Sequence, residues 1–142
     1  MKENNQPMGI PSFVDLMNRS IEAYLLVLTS WIDPDVTKYA VKNLIPYDCN
    51  VGRTSVFSPD EYAITLHCKV KGVRCGELVL QGIFNTVKET PRRTTIYIQY
   101  DGHPETLGYD FKSITEALAV LRLFAAGKIR GAHNRLRKTR EV

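Results

Sequence analysis

Residues 94–127 constrain the fold of this chain more than any other stretch, because strand-like and helical patterns follow one another there without a long break. Apolar residues recur at every second position before and after a short polar segment: Ile96, Ile98 and Tyr100, then Leu107, Tyr109 and Phe111. Period-two alternation is typical of a strand with one buried face. Asp101-Gly102 suits a turn between the two runs, and Pro104 indicates a connection longer than two residues. The stretch therefore predicts two antiparallel strands.

A helix with both ends marked follows directly. Ser113 offers a hydroxyl as the N-cap and Glu116 stands three residues on, which is the spacing of a capping box. Gly127 suits the left-handed residue that closes many helices. Between these ends apolar residues recur at intervals of three and four: Ile114, Ala117, Leu118, Leu121, Phe124 and Ala125. The pattern predicts a helix over residues 114–126 that covers one face of the sheet.

Two further strands are predicted earlier in the chain. Their alternating residues are Tyr62, Ile64, Leu66, Cys68 and Val70 in the first, then Leu78, Leu80 and Phe84 in the second. The register that sets Leu66 opposite Leu78 brings apolar residues together across the hairpin. It also sets Ile64 opposite Leu80 and leaves the cysteine thiols unpaired. Gly82, inside the second strand, indicates a bulge or a close approach by another backbone.

The N-terminal part of the chain predicts two helices. Apolar residues recur at helical spacing over residues 13–31, and Ser12 is placed to cap that helix. Its segment 24–28 is apolar nearly all round, which indicates a helix buried on two sides or one that also contacts another protein. Pro34 between two aspartates then suits the start of a second helix, which we expect to end near residue 44.

The predicted fold is a single α+β domain over residues 11–127. It has a four-stranded antiparallel sheet over residues 62–111, packed by a C-terminal helix and preceded by two N-terminal helices. Residues 47–60 predict a loop because they are rich in Asn, Gly, Ser and Pro. Residues 1–10 lack periodicity and predict a flexible N-terminus, and residues 128–142 predict a basic C-terminal tail.

The cellular compartment is predicted from what the chain lacks. The polar residues 1–6 do not resemble a signal peptide, and no apolar run reaches the roughly 20 residues that span a bilayer. An odd number of cysteines, Cys49, Cys68 and Cys75, fits free thiols in a reducing compartment. We therefore expect a cytoplasmic protein with no membrane partner.

The charge is distributed unevenly. The chain has a net charge of +4, but residues 128–142 carry six basic groups and one acidic group. The other residues carry thirteen basic and fourteen acidic groups, so they are close to neutral. The positive charge thus belongs to the predicted tail.

A dense basic segment has an evident physical use, which is to displace counterions from a phosphate backbone. The predicted nucleic-acid contacts are Lys128, Arg130, Arg135, Arg137, Lys138 and Arg140, with Arg92 and Arg93 extending the patch. Arginine predominates, and its planar guanidinium pairs bidentately with phosphate. The alternative is a solvated chain end that only keeps the protein soluble. The first hypothesis is a small nucleic-acid-binding accessory or regulatory protein whose partner is DNA or RNA.

Catalytic and metal motifs are weak in this sequence. His67 and Cys68 are neighbours on a predicted strand, so their side chains point to opposite faces and cannot form a nucleophile–base pair. A zinc site needs about four ligands, and Cys49, Cys68, Cys75 and His67 would have to converge against the strand alternation. Gly-rich phosphate loops and the G-x-S-x-G motif are missing. His103 precedes Pro104 in a predicted turn and suits a solvated position. We therefore expect a non-enzyme without a metal or another cofactor.

The alternative hypothesis is a protein-binding inhibitor or adaptor, of the small kind that mobile elements encode. The apolar first helix would be its interface, with Tyr24 and Trp31 as anchors and a protein partner or a second copy as the occupant. The same residues also suit a plain core position.

Overall fold

The computed structural model describes residues 20–88 and 90–141, with side chains left out at 90–93 and 139–141. The helices are α1 (Ile21–Ile32), α2 (Thr37–Asn43), α3 (Ile114–Ala125) and α4 (Ile129–Glu141). The strands are β1 (Leu44–Arg53), β2 (Glu61–Val70), β3 (Gly76–Asn85) and β4 (Thr90–Tyr100). Within the described residues, four helices and one four-stranded antiparallel sheet confirm the predicted α+β class. The expected flexible N-terminus and the cap at Ser12 lie outside the described residues.

The sheet is a meander in which each strand pairs with its neighbour in the chain, in the order β1-β2-β3-β4. Its position in the sequence differs from the prediction at both ends. The predicted loop over residues 47–60 contains most of β1, and the predicted strand over 106–111 is not a strand. Phe111 makes only a single bridge, its N–H donating to the carbonyl oxygen of Ile96 at 2.9 Å. A 3₁₀ turn (Pro104–Thr106) lies in the connection between β4 and α3.

The pairing of β2 with β3 is displaced by two residues from the predicted register. Leu66 lies opposite Leu80, and Ile64 lies opposite Gly82. A shift of two keeps every side chain on its predicted face, because strand side chains alternate with period two. The connection between β2 and β3, residues 71–75, is longer than the prediction assumed, and the Val73 side chain is buried in the core there.

The core lies between one face of the sheet and helices α1 and α3. Two glycines on β3 lie directly against side chains of these helices. A Cβ at Gly76 would lie 2.7 Å from Leu121 of α3, and one at Gly82 would lie 2.8 Å from the ring of Trp31 on α1. Gly82 was predicted to permit a bulge or a backbone approach. The β3–β4 register shifts beside it, between Ile83 and Phe84, and helix side chains pack against Gly82 itself. The largest fully buried side chains are Leu28, Ile64, Leu66, Leu78, Leu80, Phe84, Ile96, Ile98, Ile114, Leu118 and Phe124.

Helix α3 has the ends that the sequence predicts. Ser113 Oγ accepts the N–H of Glu116 at 3.1 Å. At the other end Gly127 has φ +77°, in the left-handed region. The N–H of Lys128 donates to the carbonyl oxygen of Leu123 at 2.9 Å, which is the longer bond of a Schellman motif. The prediction of this helix is confirmed.

The predicted tail is a helix, and the packed core extends beyond residue 127. In α4 the side chains of Ala132 and Leu136 are fully buried, and Ile129 packs against the core. These three residues recur at intervals of three and four, so they form an apolar stripe. Their signal was hidden among six basic residues, which made the segment resemble a solvated chain end.

Candidate functional site

The basic side chains of the predicted nucleic-acid site are carried by α4 and by the residue before it. Because Ala132 and Leu136 turn one face of this helix into the core, the remaining faces are directed to solvent. Of the C-terminal cations, those with described and exposed side chains are Lys128, Arg130, Arg135, Arg137 and Lys138. Arg140 also lies on α4, but its side chain is outside the described residues. The structure thus brings the C-terminal cations together on one folded element.

These cations form two rows along the helix. At 3.6 residues per turn, Arg130 and Arg137 fall on one flank of the apolar stripe, about 10 Å apart along the axis. Lys128, Arg135 and Lys138 fall toward the other flank. Arg137 donates from its guanidinium to the Asn134 side-chain oxygen, which holds that arginine along the helix surface.

Arg92 and Arg93 belong to a different part of the molecule. They lie near the start of β4, and their side chains are outside the described residues. Helix α4 approaches the other end of this strand, where His133 meets His103 just after Tyr100. Arg93 and Tyr100 are seven positions apart on an extended strand, a span of about 23 Å. The structure does not join the two arginines to the basic face of α4.

A cluster of two histidines and a glutamate joins α4 to the loop after β4. Glu105 Oε1 lies 3.3 Å from His103 Nδ1 and 3.4 Å from His133 Nε2. All three potential ligand atoms lie within 4.8 Å of one another. Two imidazole nitrogens and one carboxylate oxygen form a donor set that binds zinc or ferrous iron in proteins. Sequence reasoning missed this cluster because His133 is thirty residues from His103 and only the fold brings them together.

Phe124 orients both imidazole rings of this cluster. The buried Phe124 ring lies 5.0 Å from the His103 ring, and the His133 ring meets it edge-on at 5.3 Å, all between centroids. The loop carrying His103 is fixed by the buried Thr106, whose hydroxyl donates to the His103 carbonyl oxygen at 2.9 Å. That same hydroxyl accepts the N–H of Tyr100 at 3.2 Å. Packing and hydrogen bonds thus fix the site from both sides.

The electrostatics of the cluster favour an ionised carboxylate. A backbone hydrogen bond to Glu105 is the largest cause that lowers the pKa of its carboxyl group, and the neighbouring His103 and His133 lower it further. The carboxylate is exposed, while both histidines are partly exposed. Solvent and ions therefore have access to all three groups.

A second polar cluster lies on the sheet face away from α1 and α3. Tyr47 donates its hydroxyl hydrogen to Glu77, with Oη 2.6 and 2.9 Å from the two carboxylate oxygens. His67 Nδ1 lies 2.8 Å from Glu77 Oε2, and the ammonium of Lys69 stands 4.9 Å from the centre of the Tyr47 ring. The hydrogen bond to Glu77 is the main reason that the pKa of Tyr47 is raised to about 12. These contacts link three neighbouring strands and keep the phenol protonated.

Cys49 and Cys68 are not placed for nucleophilic chemistry. All three cysteines are free thiols, and Cys68 points into the core while its neighbour His67 lies on the opposite face, as the alternation predicts. Burial raises the pKa of Cys68 to about 12 and that of Cys49 to about 11. At neutral pH both groups are thiols, and the thiolate is the reactive form.

Tyr24 and Trp31, the predicted anchors of a protein interface, pack in or against the core. Tyr24 is only 5% exposed. Trp31 packs beside Gly82 and Phe84, with ring centroids 6.2 Å apart in the Trp31–Phe84 pair. Tyr24 is therefore not available as an exposed anchor in this fold. On α1, Leu26 is the exposed large apolar residue among those described.

Apolar side chains are instead exposed where two hairpin loops adjoin. Val56 and Phe57, between β1 and β2, are 81% and 91% exposed, and Val87, between β3 and β4, is 71% exposed. The two loops are joined by the N–H of Thr86, which donates to the carbonyl oxygen of Asp60 at 2.8 Å. We call Val56, Phe57 and Val87 the hairpin tips.

Comparisons with protein-family models, with curated proteins and with solved structures found no match. Within residues 20–88 and 90–141, no helix has the length and apolar character needed to cross a membrane. The functional proposals for this chain therefore rest on its own geometry and charge.

Proposed function

We propose that this protein binds nucleic acid through the basic face of α4, as a non-enzymatic accessory or regulatory protein. The observation that carries the proposal is that the cations lie on a helix whose opposite face is buried. Six basic residues and one acidic residue occupy residues 128–142, whereas the rest of the chain is nearly neutral. A strongly basic element on a neutral body is the charge pattern expected of a phosphate-binding surface.

The burial of Ala132 and Leu136 fixes α4 to the core, and a fixed basic helix is better suited to binding than a loose basic tail. A loose segment loses conformational freedom when it binds, and that loss opposes association. A helix already fixed to the core avoids most of this cost. Arg130 and Arg137 then present guanidinium groups at a fixed spacing, which suits successive contacts along a phosphate backbone.

The expected binding is electrostatic and largely indifferent to base sequence. Contacts to phosphates position a protein on nucleic acid but do not distinguish bases. Each phosphate neutralised on duplex DNA contributes roughly −0.9 to the slope of log affinity against log salt concentration. The partner is DNA or RNA, and parallel titrations with both duplexes distinguish them.

The test is a salt titration of duplex binding by the intact protein and by Arg130→Gln/Arg137→Gln. We expect the double variant to bind more weakly, with a salt slope smaller by roughly 1.8 if each arginine neutralises one phosphate. Lys38→Gln/Lys42→Gln is the matched control, since it removes two exposed charges from α2. An equal loss in both double variants would show that only net charge matters, and absence of binding at low salt would reject the proposal.

A protein-binding role is the second candidate, and the hairpin tips favour it. Three apolar side chains that are 71% to 91% exposed on adjoining loops suit burial against a protein partner or a second copy of the chain. The test is sedimentation of the purified protein and affinity capture after nuclease treatment, comparing the native chain with Phe57→Ser. Equal association by the two would reject the tips as an interface. Val41→Ser, at an exposed apolar position on α2, is the control for a general change in hydrophobicity.

A further inference from the structure

We propose that His103, Glu105 and His133 form a zinc site that fastens α4 to the loop following β4. The inference is independent of nucleic-acid binding, because it concerns a different set of atoms and a different ligand. It assigns a role to two of the three histidines in the chain.

The distances already resemble those of a metal centre. Zinc–nitrogen and zinc–oxygen bonds of about 2.1 Å in tetrahedral geometry place the ligand atoms about 3.4 Å apart. Glu105 Oε1 lies 3.3 Å from His103 Nδ1 and 3.4 Å from His133 Nε2. Two of the three distances between ligand atoms therefore match the separation expected around zinc. The third distance, between the two nitrogens, is no longer than 4.8 Å, so a bound zinc ion would draw the two rings closer together.

The donor types select the metal. Calcium and magnesium prefer sites made only of oxygen ligands, whereas imidazole nitrogens suit zinc and other transition metals. Three protein ligands leave a fourth position for water, and all three side chains have solvent access. Glu105 supplies one negative charge, which offsets part of the repulsion from Arg130 and Arg137 on either side of His133 along α4.

The surroundings hold the ligands in position. Phe124 packs against both imidazole rings, and the hydroxyl of Thr106 fixes the backbone of the loop that carries His103. These contacts restrict the orientation of the ligands before a metal binds, which favours binding. The ligands come from two elements thirty residues apart, so a bound metal would connect them directly.

The first test measures zinc binding to the chelator-treated full chain against a chromophoric competitor. We expect one zinc per chain, with affinity reduced at least tenfold in Glu105→Gln and in His133→Gln. His67→Gln is the matched control, because it removes the remaining histidine from the opposite sheet face. Cys75→Ser controls for the exposed thiol. Both controls should bind zinc as the native chain does.

Two outcomes would overturn the assignment. Unchanged affinity in both ligand variants would place the metal elsewhere, and so would binding that is lost in Cys75→Ser but kept in Glu105→Gln. Circular dichroism of the metal-free proteins separates a lost ligand from a lost fold. Because Glu105 is exposed, Glu105→Gln should keep the native spectrum.

The second test asks whether zinc holds α4 in place. Trypsin cuts after the arginines and lysines of α4 only when the helix opens locally, so cleavage reports on its attachment. Saturating zinc should slow this cleavage at least several-fold in the native chain and in His67→Gln, but not in Glu105→Gln. Magnesium should have no effect. Equal cleavage of the native chain with and without zinc would contradict the fastening role, even if zinc binds.

Discussion

Single residues show how the helices sit on the sheet. Leu121 of α3 is fully buried, and its Cδ1 atom would be only 2.7 Å from a Cβ at Gly76. Gly82 has a similar relation to Leu28 and Trp31 of α1. Large residues on the helices and small residues on β3 are therefore complementary. A change on either side should be detected as a loss of stability.

Leu121→Ala should lower the free energy of unfolding by roughly 2–5 kcal/mol, because it removes buried methyl groups and leaves a cavity. The measurement is urea denaturation followed by circular dichroism. Leu107→Ala is the control, since Leu107 is 57% exposed and its loss should stay within about 0.5 kcal/mol. A change below half a kilocalorie for Leu121→Ala would reject the packing of α3 on the sheet.

Gly82→Ala should destabilise the protein by roughly 1–3 kcal/mol, because the added methyl group meets Leu28 and the Trp31 ring at less than 3 Å. Gly131→Ala on α4 is the opposite case. A Cβ there has nothing within 4 Å, and alanine favours a helix by about 1 kcal/mol over glycine. Denaturation of both variants under the same conditions should give changes of opposite sign.

The three thiols should react in an order set by burial and pKa. Cys75 is exposed and should react quickly with a thiol reagent in the native protein. Cys68 is buried with a pKa of about 12, so at pH 8 it should react only when the protein unfolds. Titration of the denatured protein with the same reagent, without reductant, should detect three thiols. Rapid labelling of both remaining thiols in Cys75→Ser would contradict the burial of Cys68, because Cys49 is only partly buried.

At the scale of elements, the sequence predicted the helices and strands whose caps and apolar patterns lie within the element itself. Helix α3 was predictable because Ser113, Gly127 and the apolar stripe all lie within it. Strand β1 was missed because Pro46 and a register shift before Asp48 interrupt its alternation, as edge strands permit. Alternation alone was misleading at residues 106–111, where Gly108 takes φ +93° and a bend replaces the strand.

The candidate sites were also predictable only where their residues are close together in the sequence. The basic residues of α4 were predictable as a set because they are contiguous in the sequence. Their helical order was not, because an apolar stripe of three residues is a weak signal until a core exists to bury it. The His103–Glu105–His133 cluster was beyond sequence reasoning, since its distances depend on how α4 docks against α3.

Truncation after Gly127 should destabilise the whole domain. If residues 128–142 were a solvated tail, the truncation would leave the stability unchanged. The cut removes Leu136 and Ala132 from the core, and the loss of one buried leucine alone costs roughly 2–5 kcal/mol. Thermal unfolding of the truncated and intact chains measures this loss. Lys138→Ala on the exposed face should change stability by less than about 0.5 kcal/mol. An unchanged melting temperature after truncation would mean that α4 does not contribute to the core.

At the scale of the whole molecule, the two candidate surfaces lie at opposite ends of the sheet. The hairpin tips adjoin the start of β4, and α4 meets the loop that follows its end. A strand of eleven residues separates them by about 35 Å. Substitutions this far apart normally act independently. Phe57→Ser should therefore leave duplex affinity unchanged, and coupled losses in a double-mutant cycle would show that one partner spans both ends.

The meander also has a consequence for the order of folding. Each strand pairs with its chain neighbour, so the ladder can close hairpin by hairpin with little loop entropy to overcome. Helices α1 and α3, which cover the same face of that ladder, are separated by more than eighty residues of chain. Because their joint packing on the sheet is a long-range event, we expect it to follow strand pairing. Substitutions at the contact of α1 with Gly82 should consequently speed unfolding while leaving the folding rate nearly unchanged.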